Sequence, residues 1–205
     1  MRLIGDFARE VIGSGRGIVM IASSLTGAFA IEAVARQPEL FGKIVLIEPT
    51  GIRALAQPPT PPQYALYGLL RSSVIGDSIF NALTSKPGLS SFLKRDVYTN
   101  PEEVTAEMVA EYHTTAHQEG GKYAPASFIG GRLNLAIADS FTSLKLPILI
   151  TWGREATITP VWQLEDFLDA NPRAEGRIIA HSGLLPHDEQ AEQWLAIVGD
   201  FLGKS

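Results

Sequence analysis

The chain has 205 residues, 45% of them hydrophobic, which is enough for one sizeable core. A formal net charge of −5 argues against nucleic acid as a partner, and the lack of any cysteine excludes disulfides and a thiol nucleophile. No apolar stretch reaches the ~18 residues of a membrane span, so a soluble, cytoplasmic globule is expected.

Residues 1–16 carry Asp6 and Glu10 and read as an amphipathic helix ending at Gly13, not as a signal peptide. Residues 17–27, Gly-Ile-Val-Met-Ile-Ala-Ser-Ser-Leu-Thr-Gly, then form an apolar β-type run that ends in serines and small residues. The strand is expected over Gly17–Ala22, with a helix from the serines to Pro38. A strand, a strained turn holding one serine, and a helix whose N-terminus points at it make a nucleophile elbow. Such a turn needs small residues two positions before and after the nucleophile. Ser24 has Ala22 and Thr26 there, followed by Gly27, whereas Ser23 would have Ile21 and Leu25. Ser24 is therefore the candidate. Taken alone the pentapeptide favours a simpler reading, because serines also cap helices.

The next apolar run is Lys43–Glu48, closed by Pro49-Thr50-Gly51. Residues 57–62, Gln-Pro-Pro-Thr-Pro-Pro, then form an extended linker, since proline disfavours helix. From there to Leu146 no strand-like run occurs. This stretch offers helical pieces, one starting at Asn100-Pro101-Glu102-Glu103, with apolar and aromatic faces from Tyr64, Tyr67, Phe80, Phe92 and Phe128. Strand character returns at Pro147–Gly153, followed by Thr159-Pro160 and a helical pattern. Arg177–Ala180 is the last strand candidate, leading through His181-Ser182-Gly183 and Pro186-His187-Asp188-Glu189 to a closing helix. Continuous apolar strands alternating with helices predict an α/β fold with a parallel sheet of about four strands, flanked by helices.

In this order and spacing the chain resembles the α/β-hydrolase family over almost its whole length. Ile-Ala-Ser-Ser-Leu-Thr-Gly-Ala stands where that family has its elbow. Trp152-Gly153 with Thr159-Pro160 is similar to the segment after its penultimate strand, and Pro186-His187 plus a Glu to its histidine loop. The resemblance implies that Ser24 is the nucleophile and His187 its general base. It implies that the backbone N–H of Leu25 is half of an oxyanion hole. It also implies a core from residues 1–56 and 147–205, with 57–146 as a helical cap or lid. The family fold has further strands before the elbow, so the strand at 17–22 is expected to be an exposed edge that invites self-association. A longer parent protein would explain this most simply.

The chemistry is coherent. A serine hydroxyl needs a base within hydrogen-bond reach, and imidazole, with a pKa of about 6.5, can take and return a proton near neutrality. A carboxylate must hold that imidazole in the right tautomer. Donors at the helix start stabilise the developing oxyanion by roughly 3–4 kcal/mol each. The resemblance would put the acid after Trp152-Gly153, but the matching position is Ala156. Glu48, closing its strand, ranks ahead of the adjacent Glu155, because ligands bind at the carboxyl ends of parallel strands.

Other polar residues read more simply. His113 and His117 share a helix face without a general-base Glu or third ligand, so no metal is implied. His181 ends a strand beside the pocket. Asp188 and Glu189 are expected to cap the final helix. The leading expectation is a serine hydrolase that cleaves an ester or similar small acyl substrate through an acyl-enzyme, without a cofactor. The alternative is a catalytically incomplete relative acting as a binding or interaction module.

Overall fold

The computed structural model describes residues 2–13 and 17–204. Met1 and residues 14–16, which the sequence reading joins to the N-terminal helix, lie outside the described residues. The chain starts with α1 (Arg2–Phe7), continued by a π-helical turn over Ala8–Ile12. Then come β1 (Ile18–Ser23), α2 (Ser24–Arg36) and β2 (Phe41–Ile47). Between β2 and β3 (Ile148–Gly153) lie only helices among the described residues. These are α3 (Pro61–Arg71), α4 (Ile75–Leu83), α5 (Lys86–Phe92), α6 (Ala106–Ala116), α7 (Tyr123–Ile129) and α8 (Ala138–Ser143). The chain closes with α9 (Gln163–Ala170), β4 (Ala174–Ile179), the single turn α10 (Pro186–Glu189) and α11 (Ala191–Gly203). Among the described residues no helix is long and apolar enough to cross a membrane.

The four strands form one parallel sheet in the order β1-β2-β3-β4. Alternation along the central strands sorts their side chains between two layers. Ile44, Leu46, Ile148, Ile150 and Trp152 join the larger core with Ile31, Val34, Phe141 and Phe167. Val45 and Leu149 point the other way, against Val198 and Phe201 of α11. Because both faces are covered, β2 and β3 read as unbroken apolar runs. Each fully buried side chain of this size contributes about 1.5–3 kcal/mol relative to exposure. β1 differs. It is an edge, with Val19 40% and Ile21 48% exposed.

The linker ends sooner than its prolines suggest. Thr60 caps α3 in a reciprocal arrangement with Gln63, and Pro61 and Pro62 form the first turn, where a missing N–H costs nothing. Asn100 caps only a 3₁₀ turn (Pro101–Glu103), and the α-helix starts at Ala106 behind Thr105, whose hydroxyl accepts from Met108 N–H. β4 begins at Ala174, three residues before the apolar run that marks it. Its early position 176 is a glycine against which Leu164 and Leu168 pack closely.

The long helical stretch touches the sheet-bearing part through a separate cluster. Leu93, Val97, Tyr98, Val104 and Val109 are buried together, with Leu184 and Leu185 from the loop after β4 packed against them. The interstrand helices are thereby anchored above the loop that carries His187.

Candidate active site

Parallel register puts two sharp turns side by side. Ser23 pairs with Ile47, so Ser24 and Glu48 each follow the last residue of neighbouring strands. Both have left-handed backbone, φ 49 at Ser24 and φ 45 at Glu48, and His181 after β4 is a third with φ 60. Such conformations cost about 1–3 kcal/mol in residues other than glycine and persist only where the surroundings impose them. At Ser24 the imposition is visible. Extended Ser23 caps α2 in a reciprocal arrangement with Thr26, whose hydroxyl donates to Ser23 O at 2.6 Å while its oxygen accepts Ser23 N–H. The helix therefore starts at Ser24, and its first-turn amides, Leu25 among them, lack intrahelical partners. The close approach expected two residues after the serine occurs at the third. A Cβ on Gly27 would lie 3.1 Å from Pro49 Cβ, so α2 packs tightly on the turn after β2.

Glu48 is fully buried. One carboxylate oxygen accepts Gly153 N–H at 2.9 Å and the other accepts the Thr159 hydroxyl. Desolvation pushes its pKa up to about 7, against the two donors, and the Glu189 charge adds to the rise. Glu155 is exposed, and its carboxylate accepts Ser182 N–H at 3.0 Å. Ala156, at the position where the resemblance leads one to seek an acid, is buried in the larger core.

His187 sits in α10, half-buried, with its ring 6.0 Å from that of Trp194. Burial lowers its pKa and so favours the neutral ring, opposed by the neighbouring Asp188 charge. Its Nδ1 is buried and has no hydrogen-bond partner among the described residues. Among those residues, no hydrogen bond joins His187 to Ser24, Glu48 or Glu155. The structure thus sets Ser24 beside Glu48 along the sheet and leaves His187 unbonded to either carboxylate.

The expectation that Asp188 and Glu189 cap the final helix is overturned. Asp188 accepts the Tyr98 hydroxyl at 2.5 Å, and Glu189 accepts Gly183 N–H at 2.7 Å and Thr99 N–H at 2.6 Å. The reason is that α10 is a separate turn ending before Ala191, so both carboxylates face the helical stretch and not the start of α11. His113 and His117 stack at 4.2 Å, with a His117 ring nitrogen 2.8 Å from His113 O, and no metal-holding cluster exists among the described residues. Sequence reasoning missed Thr159 and Gly153 as the donors that hold Glu48, although both stand in motifs it had noticed.

The Alpha/beta hydrolase family profile matches residues 2–197. The chain belongs to that family. A 2-hydroxy-6-oxononadienedioate/2-hydroxy-6-oxononatrienedioate hydrolase of Pseudomonas sp. is 26% identical over 196 residues, covering 90% of this chain. The chain spans 62% of that relative's length. A meta-cleavage product hydrolase structure from Pseudomonas fluorescens superposes with a TM-score of 0.71 at 18% identity, over 98% of this chain and 68% of the other. A thermophilic esterase from Thermogutta terrifontis gives 0.69 at 16% identity, over 98% and 69%. At these identities the solved structures establish the fold alone, an α/β-hydrolase arrangement in which this chain supplies a four-stranded parallel sheet flanked by helices.

Proposed function

We propose that this chain is the nucleophile-bearing part of a serine hydrolase that attacks a carbonyl carbon of a small acyl substrate. The observation that carries the reading is the left-handed Ser24 at the junction of β1 and α2. In the proposed reaction Ser24 Oγ bonds to the carbonyl carbon as His187 takes its proton. Leu25 N–H donates to the oxyanion, and the leaving group departs with the proton from His187. Water, deprotonated by the same ring, then releases the acyl group. Glu48 is the proposed acid, ahead of Glu155, because it is buried and lies beside Ser24 along the sheet. The relatives' names include both an esterase and hydrolases of oxo-dienedioates, so esters and carbon–carbon bonds next to a carbonyl are both substrate candidates.

Residues 57–146 are proposed as a lid. Supporting this, Leu184 and Leu185 of the loop before His187 pack under Leu93, Val97 and Tyr98. The open edge of β1 is a proposed self-association surface, checked by sedimentation at several concentrations, and a cytoplasmic setting fits the lack of cysteine. The deciding experiment is covalent labelling with a fluorophosphonate. Labelling of the wild type and of Ser23→Ala, with none of Ser24→Ala, is the expected result. An unlabelled wild type would overturn the assignment.

A second reading is favoured by one observation: both Glu48 oxygens are already engaged, by Gly153 and Thr159, and neither bonds His187. On that reading the chain binds carbonyl ligands without turning them over. It predicts no labelling, together with a rise in thermal midpoint when a ligand is added.

A further inference from the structure

Glu189 makes no part of the proposed reaction, yet both of its carboxylate oxygens are engaged, as those of Glu48 are. One oxygen takes Gly183 N–H from the loop after β4, six residues earlier in the chain. The other takes Thr99 N–H from the helical stretch, 90 residues away. Around this clasp the backbone is packed to its limit. A Cβ on Gly183 would lie 2.7 Å from Val97 O and 3.2 Å from Thr99 Oγ1. On its other side Gly183 meets Gly153, where an added Cβ would overlap Gly183 O. Gly153 is in turn the residue whose N–H holds Glu48. Two flanking contacts run parallel to the clasp, Leu184 N–H to Val97 O at 3.1 Å and the Tyr98 hydroxyl to Asp188.

We infer that Glu189 is a positioning residue: by bridging Gly183 and Thr99 it fixes both ends of the loop that presents His187 and locks residues 97–99 of the proposed lid over that loop. This rests on the hydrolase reading for its role in turnover, while the clasp itself does not. The geometry carries the inference, since a carboxylate that accepts from two main-chain amides on different parts of the chain gains from both only if the two are held together. The charged or titratable groups around it are Glu48, Glu103, Asp188 and Tyr98. Burial and Glu103 raise the Glu189 pKa against its amide donors.

The test uses amide proton resonances of the whole chain together with fluorophosphonate labelling. In the wild type, the Thr99 and Gly183 amide shifts are expected to follow one common titration, that of the Glu189 carboxyl. In Glu189→Gln the common titration disappears and both amides exchange at least tenfold faster. The Glu48 midpoint falls, because a neighbouring negative charge is gone. Labelling of Ser24 slows about 10- to 100-fold, as expected for a catalytic group displaced by about an ångström, and KM for an ester moves less than kcat. If the variant does not fold, the wild-type co-titration stands as the test. Thr99 and Gly183 amides that titrate separately or not at all would overturn the inference. Co-titration without any labelling of wild-type Ser24 would leave the clasp standing and refute the hydrolase reading instead.

Discussion

The ends of β1 and β2 share a backbone device and little else. Ser24 and Glu48 have nearly equal positive φ and neighbouring register positions. Ser24, however, is half-buried just past the end of an edge strand, and outside its own helix its carbonyl meets Thr50 N–H at 3.4 Å. Glu48 is wholly buried and gripped by Gly153 and Thr159. The first turn is held by the start of a helix and stays open on one side. The second is held by desolvated hydrogen bonds on all sides. Equal strain can thus be maintained either by local capping or by tertiary packing.

The largest effect that would sharpen this contrast comes from Gly153→Ala. The added Cβ would lie 2.5 Å from Ser182 O and overlap Gly183 O, both main-chain atoms that have nowhere to go. The expected loss is about 3–5 kcal/mol, read as a fall in thermal midpoint of roughly 10 °C. A change within a degree or two would show that the crowded end is softer than its geometry states.

Next is the pH dependence set by Glu48. Its folded pKa of about 7 lies above the usual 4.5, so the folded state holds a proton that the unfolded chain releases. The associated stability is fully present below about pH 4.5 and is lost as pH rises through about 7, roughly 3 kcal/mol in all. Denaturant titrations from pH 5 to 8 should show this slope in the wild type and its near absence in Glu48→Gln. On the hydrolase reading, activity moves the opposite way, rising through about pH 7 as Glu48 ionises. Thr159→Val removes one donor and should cost about 1–3 kcal/mol, with the Glu48 titration, followed by carboxyl carbon NMR, moving higher. The smallest effect has the reverse sign. Ser24→Gly should stabilise the chain by about 1 kcal/mol in urea while abolishing labelling, because glycine adopts φ 49 without strain. Destabilisation there would mean that the serine turn is held by contacts and not merely by its cap.

What could be read in advance follows from how local each signal is. β2 and β3 were legible as apolar runs because burial on both faces removes any need for alternation, and the Ser24 turn because small residues cluster where a strand meets a helix. The cap of α3 was harder, since Thr60-Pro61-Pro62 reads equally as linker and as helix start. Asp188 and Glu189 could not be placed, because Tyr98, the partner of Asp188, and Thr99, one of the two partners of Glu189, lie 90 residues away. The elevated pKa of Glu48 was likewise invisible, for it arises from a core assembled by β3 and the loop at Thr159.

The helices between β2 and β3 have one more consequence. α3 and α5 contain no buried residue, and α4 buries only Gly76. Of these three helices only α5 reaches the buried cluster around Leu93 and Tyr98, through Leu89, and α3 and α4 contribute no residue to it. Such a unit opens sub-globally at a lower free energy than the sheet. In native-state exchange, amides of α3 and α4 should lose protection together while those of β2 and β3 persist until global unfolding. A protease in trace amounts should then nick the chain near the prolines at 58–62 and leave the sheet intact.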